Sequence, residues 1–103
     1  MTWEEYKKEV KERDPVAGLM IAEAEIEADV IGAIYARRND LGMSQRELAE
    51  LCDIPQSSIA RIEGNKTMPR LDTLAKIYTR LGLTLTVNTV NPVAVPVPVA
   101  VKA

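Results

Sequence analysis

The sequence predicts an all-α fold, a helix-turn-helix bundle with a helical extension before it and one short β-strand after it. Apolar side chains occupy the positions at which the two short helices of such a motif cross, namely Leu48, Cys52, Ile54, Ile59 and Ile62. Capping residues precede the first helical segments, and strict alternation of apolar and polar residues begins only after Gly82.

Two helices are predicted in the N-terminal third. Thr2 and Glu5 form a capping pair for a short helix that runs to about Asp14. Asp14 and Pro15 end that helix and begin the next, because proline suits the first helical turn and an acidic cap favours the helix dipole. The second helix is long and covers residues 16 to about 40, where apolar residues recur at helical spacing.

The motif itself begins at Ser44, which forms a second capping box with Glu47. Ala49 is the small residue expected where the two helix backbones approach most closely. Asp53 occupies the turn, where a left-handed backbone conformation is expected and where aspartate is better tolerated than most residues. Pro55 stands at the start of the second helix, a position compatible with its fixed φ.

The chain after the motif predicts one more helix and a strand. The helix covers about residues 70 to 81 and stops at Gly82. Residues 83–90 contain a strand whose apolar face consists of Leu83, Leu85 and Val87. A lone strand has two unpaired edges, so we expect it to pair with its copy in a homodimer. Three prolines in residues 91–103 argue against a central strand there and predict a flexible tail.

The composition excludes several classes of protein. The chain has 103 residues, one cysteine and no histidine, so we expect no disulfide, no metal site, no cofactor and no catalytic residues. No apolar run reaches the roughly 18 residues that span a bilayer, and the N-terminus lacks the pattern of a signal peptide. These features predict a cytoplasmic protein with no membrane partner.

Charge is divided unevenly along the chain. Residues 1–36 contain four basic and nine acidic side chains, a net charge of −5. Residues 37–90 contain eight basic and six acidic side chains, a net charge of +2. Binding to phosphates requires local positive charge rather than a basic total, so the net charge of −2 is compatible with a DNA-binding domain.

Residues 37–82 resemble the lambda-repressor-like (Xre) helix-turn-helix family. The resemblance lies in the arrangement Arg-Arg-x-x-Leu-Gly-Met-Ser-Gln, then Gln-Ser-Ser-Ile, Ile-Glu-Gly-Asn-Lys and Pro-Arg-Leu. The wider pattern is similar to HigA-type antitoxins, with a Trp-Glu-Glu-Tyr opening, an Asp-Pro step, a long acidic helix and a final Leu-x-Leu-x-Val. This similarity implies a bacterial protein that neutralises a RelE/HigB-like mRNA-cleaving toxin and represses its own operon.

Polar residues around the motif are the candidates for contact with double-stranded operator DNA. Gln56 begins the second helix, where an amide can form two hydrogen bonds with the major-groove edge of adenine, as the resemblance also implies. Others are suited to phosphates or neighbouring bases, although Arg61 fits a solvated helix surface nearly as well. The full set is Gln45, Arg46, Gln56, Ser57, Ser58, Arg61, Lys66, Thr67 and Arg70. By resemblance, Arg38 and Glu63 form a structural ion pair instead.

The N-terminal third, residues 1–36, holds the candidates for toxin binding. Trp3, Tyr6 and Val10 line one face of the first helix, and aromatic residues make good interface anchors. Docking of that face on the protein's own fold is an equally open alternative. Glu23 and Glu27 lie one turn apart on the long helix, where their mutual repulsion would be relieved by a basic partner.

Two functions therefore remain open from the sequence. The first is an antitoxin that also represses its operon, which accounts for both the motif and the acidic N-terminal third. The second is a free-standing Xre-family transcriptional repressor in which residues 1–36 only extend the fold. No catalytic constellation can be assembled, so an enzyme is not expected.

Overall fold

The computed structural model describes residues 1–88 and has five α-helices over that range, which confirms the all-α prediction. No helix in this part of the chain is both long and apolar enough to cross a membrane. The helices are α1 (Trp3–Arg13), α2 (Pro15–Asp40), α3 (Gln45–Cys52), α4 (Gln56–Glu63) and α5 (Leu71–Leu81).

The predicted caps start the first three helices. The Thr2 hydroxyl accepts a hydrogen bond from the backbone N–H of Glu5 and also donates to the Glu5 carboxylate. In a complete capping box that carboxylate would instead accept from the Thr2 backbone N–H. Asp14 caps α2 by accepting from the N–H of Ala17. At α3 the capping box is complete, since Ser44 accepts from the backbone of Glu47 and donates its own N–H to that carboxylate. These bonds to Ser44 hold the pKa of Glu47 below its usual value.

The core lies among α3, α4, α5 and the second half of α2. The residues predicted to fill the crossing of the two motif helices are buried, except that Ile54 is partly buried. The buried members of the cluster are Ile31, Ile34, Leu48, Ala49, Cys52, Ile59, Ile62, Leu74, Ile77, Tyr78 and Leu81. Burial of these side chains is the main stabilisation of the bundle, at roughly 1.5–3 kcal/mol for each large aliphatic residue.

The long helix α2 serves two parts of the molecule. Its second half belongs to the bundle, where Ile31 and Ile34 are buried. It is fastened to α5 by two hydrogen bonds: the Tyr78 hydroxyl donates to the Val30 carbonyl at 2.7 Å, and Arg37 Nε donates to the Leu81 carbonyl at 2.9 Å. The predicted division between residues 36 and 37 therefore falls inside one continuous helix, and the bundle includes residues upstream of it.

The short helix α1 packs against the first half of α2. Val10 is only 4% exposed and lies in this packing, so at this position the structure follows the alternative, docking on the protein's own fold, and the face shared with Trp3 and Tyr6 turns inward. Trp3 and Tyr6 remain exposed, with stacked rings 5.7 Å apart.

An ion pair reinforces the contact between α1 and α2. Lys7 Nζ lies 2.9 Å from a carboxylate oxygen of Glu25, and the Trp3 indole N–H donates to the same carboxylate. The hydrogen bond from Lys7, and then that from Trp3, hold the pKa of Glu25 below its usual 4.5. The stabilisation from Glu25 is therefore present above pH 4.5 and is lost as the pH falls through the lowered pKa.

Residues 83–88 have no regular secondary structure in the single chain, although a strand was predicted there. A strand requires a paired neighbour for its backbone groups, so the proposed pairing between two copies stays a prediction. Leu83 packs against the core, whereas Leu85 and Val87 are exposed. The predicted strand residues 89 and 90 and the predicted flexible tail, residues 91–103, lie outside the described residues.

The capping box at α3 gives a test of the fold. We expect Ser44→Ala to lower the free energy of unfolding by about 1 kcal/mol, because the first turn of α3 loses a hydrogen-bond acceptor. Ser57→Ala is the matched control, since Ser57 is exposed and the start of α4 has no side-chain cap. Chemical denaturation of both variants measures the difference, and equal midpoints would contradict a stabilising role for the capping box.

Candidate nucleic-acid interface

The helices α3 and α4 form a helix-turn-helix held by backbone geometry at the turn. Asp53 ends α3 with φ of 55° and ψ of 49°, the left-handed conformation predicted for it. Its neighbour Ile54 donates its N–H to the Ala49 carbonyl at 3.0 Å, and Pro55 is the N-cap of α4. From α5, Arg80 Nε donates to the Leu51 carbonyl near the end of α3. The left-handed residue, the proline and these two hydrogen bonds together fix the direction of α4 relative to α3.

Burial of one face of α4 determines which residues it presents to solvent. Ile59 and Ile62 are buried in the core, so the opposite side of the helix points outward. Gln56 and Ser57 are exposed at its N-terminal end, where the helix dipole favours negative groups, and Ser58 is half-buried. This is the arrangement that a helix inserted into the major groove requires.

Two shallow depressions flank the exposed side of α4. Arg46 and Gln56 line the first one together, beside Asp53. Arg46 also pairs with Glu50 at 3.3 Å, but both side chains are largely exposed, and such surface pairs contribute little. The Arg46 guanidinium is therefore available to exchange its carboxylate partner for a phosphate.

The second depression lies between α4 and the loop that follows it. Ser58, Arg61 and Thr67 line this depression, which brings three of the predicted residues together. Lys66 is exposed in the same loop, and Arg70 is exposed just before α5, where it pairs with Asp72 at 3.2 Å. Lys66 and Arg70 are therefore open to solvent and take no part in the core.

A buried ion pair lies beneath this surface. Arg38 donates through Nε and Nη2 to the two carboxylate oxygens of Glu63, at 2.8 and 2.9 Å, and through Nη1 to the Met43 carbonyl. The hydrogen bonds with Glu63 raise the pKa of Arg38 above its usual value. This confirms the structural pair expected from the family resemblance, and both side chains are buried within the fold.

Gln45 is tied to the same pair, a contact that the sequence analysis missed. Its Nε2 donates to Glu63 Oε1 at 3.1 Å, so one amide hydrogen is fixed and the second remains available. No local sequence pattern predicts this hydrogen bond, because it joins residues 18 positions apart on different helices. Gln45 begins α3, where the free N–H groups of the first turn can hold a phosphate.

Within residues 1–88 the structure contains no cluster of side chains suited to a metal ion. Cys52 is completely buried in the core, and this burial raises the pKa of its thiol. A protonated, inaccessible thiol is a poor nucleophile. The chemistry that the described surface offers is hydrogen bonding and positive charge.

The fold and this surface define a DNA-binding helix-turn-helix regulator. The chain belongs to the helix-turn-helix family of the lambda-repressor-like type: the family model described as "Helix-turn-helix" matches residues 34–88. Family membership makes it a DNA-binding transcriptional regulator and not an enzyme.

Two similar proteins extend the comparison beyond the motif. An uncharacterized HTH-type transcriptional regulator of Haemophilus influenzae is 33% identical over 85 residues, which are 82% of this chain and 82% of that protein. A solved structure, "Toxin-Antitoxin module from Streptococcus pneumoniae", has 32% sequence identity and a TM-score of 0.67. That match covers 88% of this chain and 94% of the other chain.

The buried pair predicts a large effect on stability. We expect Arg38→Met to lower the free energy of unfolding by about 3–5 kcal/mol, because it leaves the Glu63 carboxylate buried without its partner. Arg46→Met is the matched control: its ion pair is exposed, so a change of less than about 1 kcal/mol is expected. Denaturant titration checks both, and similar losses would show that burial of the Arg38 pair does not matter.

Proposed function

We propose that this protein is a HigA-like antitoxin of a type II toxin-antitoxin system, which represses its own operon and neutralises a RelE/HigB-like mRNA-cleaving toxin. The observation that carries the proposal is the extent of the structural match. The family model accounts for residues 34–88, whereas the chain from the toxin-antitoxin module matches 88% of this chain. The likeness therefore includes much of the N-terminal helical extension.

The DNA-binding half of the proposal assigns roles by position. Gln56, exposed at the N-terminal end of α4, reads a base through its amide, with Ser57 beside it. The remaining candidates position the protein on the backbone of the operator. They are Gln45 and Arg46 on α3, Ser58 and Arg61 on α4, and Lys66, Thr67 and Arg70 after it.

A homodimer follows from the geometry of operator recognition. Two half-sites about one DNA turn apart are read by two copies related by a two-fold axis. An apolar groove supports self-association: Leu74 and Tyr78 of α5 line it together with Leu83 and Leu85. Pairing of the segment that begins at Leu83 with its copy would satisfy its backbone groups and cover this groove.

The toxin-binding half rests on the acidic N-terminal third. A protein that cleaves mRNA must attract RNA, which favours a basic surface, and residues 1–36 carry a net charge of −5. Trp3 and Tyr6 are exposed, and so are Glu23 and Glu27. These four side chains are the proposed contacts, since Val10 is buried.

Truncation of Gln56 tests base recognition. Gln56→Ala should weaken operator binding by about 1–3 kcal/mol and relax the preference at one base pair, because a bidentate amide contact is lost. Fluorescence anisotropy with the promoter duplex and its single-base variants measures both effects. Unchanged affinity and unchanged preference would show that Gln56 does not read a base.

Lys66→Ala provides the contrasting variant, because a phosphate contact carries no sequence information. It should weaken binding to all duplexes equally and reduce the slope of log K against log salt by about one. A sequence-dependent loss on Lys66→Ala would mean that the loop after α4 reads bases.

Reversal of the charges at Glu23 and Glu27 separates toxin binding from DNA binding. We expect the charge reversal Glu23→Lys/Glu27→Lys to weaken the complex with the toxin by at least about tenfold, since like charges would then face each other. Operator affinity should not change, because both residues lie outside the helix-turn-helix. Co-expression with the product of the adjacent open reading frame, followed by calorimetry and light scattering, measures complex formation.

The matched control is Glu9→Lys/Glu12→Lys, which reverses two exposed charges on α1. Equal weakening by both double variants would indicate a general charge effect without a defined surface. A wild-type protein that binds its promoter as a homodimer but forms no complex with the adjacent product would support the alternative, a free-standing Xre-family repressor.

A further inference from the structure

The first half of α2 has a row of large apolar side chains that nothing in residues 1–88 covers. Val16, Met20 and Ile26 are 66%, 64% and 65% exposed, and Leu19 is 44% exposed. Their spacing of three, four and seven residues places them on one side of the helix. We call this side, which also includes Glu23 and Glu27, the α2 outer row.

The outer row continues the side of α2 that enters the core. Val30 follows Ile26 by four residues and Ile34 follows Glu27 by seven, so these positions lie in line along the helix. Ile34 is fully buried and Val30 packs against the core. The same side of the helix is therefore core in its second half and open to solvent in its first half.

The neighbouring helix α1 cannot cover the outer row because it packs on the opposite side of α2. The groove between the two helices is lined on the α2 side by Gly18, Ile21, Ala22 and Glu25. The approach is close at Gly18, where a Cβ atom would lie only 2.9 Å from the Lys11 Cα. This contact fixes which side of α2 faces α1.

The charges on the outer row indicate the chemistry of what covers it. Glu23 and Glu27 are exposed and form no ion pair within the described residues, whereas Glu25, on the other side, is paired with Lys7. A second copy packed on this row would bring carboxylates towards carboxylates. A basic partner would neutralise them, as complementary charges do at protein interfaces.

We propose that the α2 outer row is a helix-in-groove docking surface, which inserts into an apolar groove bordered by lysine or arginine residues on the basic toxin partner. Anchors spaced in this way are how amphipathic helices bind such grooves. The inference rests on the proposed antitoxin function. It adds that apolar burial along α2, which the sequence analysis did not identify, anchors the complex.

The test compares two substitutions in the full-length chain. Ile26→Glu places a carboxylate in the outer row, and Ala28→Glu places one at an exposed position away from it on the same helix. We expect Ile26→Glu to raise the Kd for the product of the adjacent open reading frame by at least about tenfold, while Ala28→Glu changes it less than about threefold. Both variants should bind operator DNA as the wild type does, which also shows that they fold.

A second variant tests the charge complementarity. Glu23→Gln/Glu27→Gln keeps the size of the side chains and removes both charges, so it should make the Kd less dependent on salt concentration. An unchanged salt dependence would overturn the basic character assigned to the groove.

The other outcomes separate this inference from the function on which it rests. A wild-type complex that tolerates Ile26→Glu overturns the docking surface and leaves the antitoxin function standing. Absence of any wild-type complex overturns both. Conversion of a homodimer to a monomer by Ile26→Glu alone would assign the row to a second copy. A large loss of thermal stability in the isolated variant would show that the chain itself covers the row.

Discussion

The buried pair between Arg38 and Glu63 is the interaction on which the arrangement of the DNA-binding surface depends. It joins the second half of α2 to the end of α4, while the third donor of Arg38 holds the Met43 carbonyl before α3. Gln45 completes the network at the start of α3. One ion pair thus connects three helices, and the hydrogen bond from Gln45 couples a candidate DNA-contacting residue to it.

The remainder of the bundle supports this centre with bonds to helix ends. Arg37 satisfies a carbonyl at the end of α5, and Arg80 does the same near the end of α3. Carbonyls at helix ends have no partner within their own helix. Each guanidinium therefore removes the free-energy cost of an unsatisfied carbonyl and joins two helices. The basic character of residues 37–90 is therefore partly structural, and fewer positive charges are available to DNA than a count suggests.

Local patterns predicted the helices well because caps and glycine stops act within a few residues. Ser44 with Glu47, Asp14 before Pro15, and the left-handed Asp53 all behave as their chemistry requires. Long-range relations could not be predicted in this way. In the sequence, Val10 lies on the same helix face as two aromatic residues, but in the fold it is buried. The hydrogen bond from Gln45 to Glu63 depends on how two helices cross.

The continuity of α2 constrains how this protein can evolve. Its 26 residues form one helix that carries both a core face and an exposed face. A single inserted residue between Ile26 and Val30 would rotate everything before it by about 100° and shift it by about 1.5 Å relative to the bundle. An insertion or deletion that does not preserve the helical phase would therefore misdirect the N-terminal third as a whole, whereas a substitution would leave its direction unchanged.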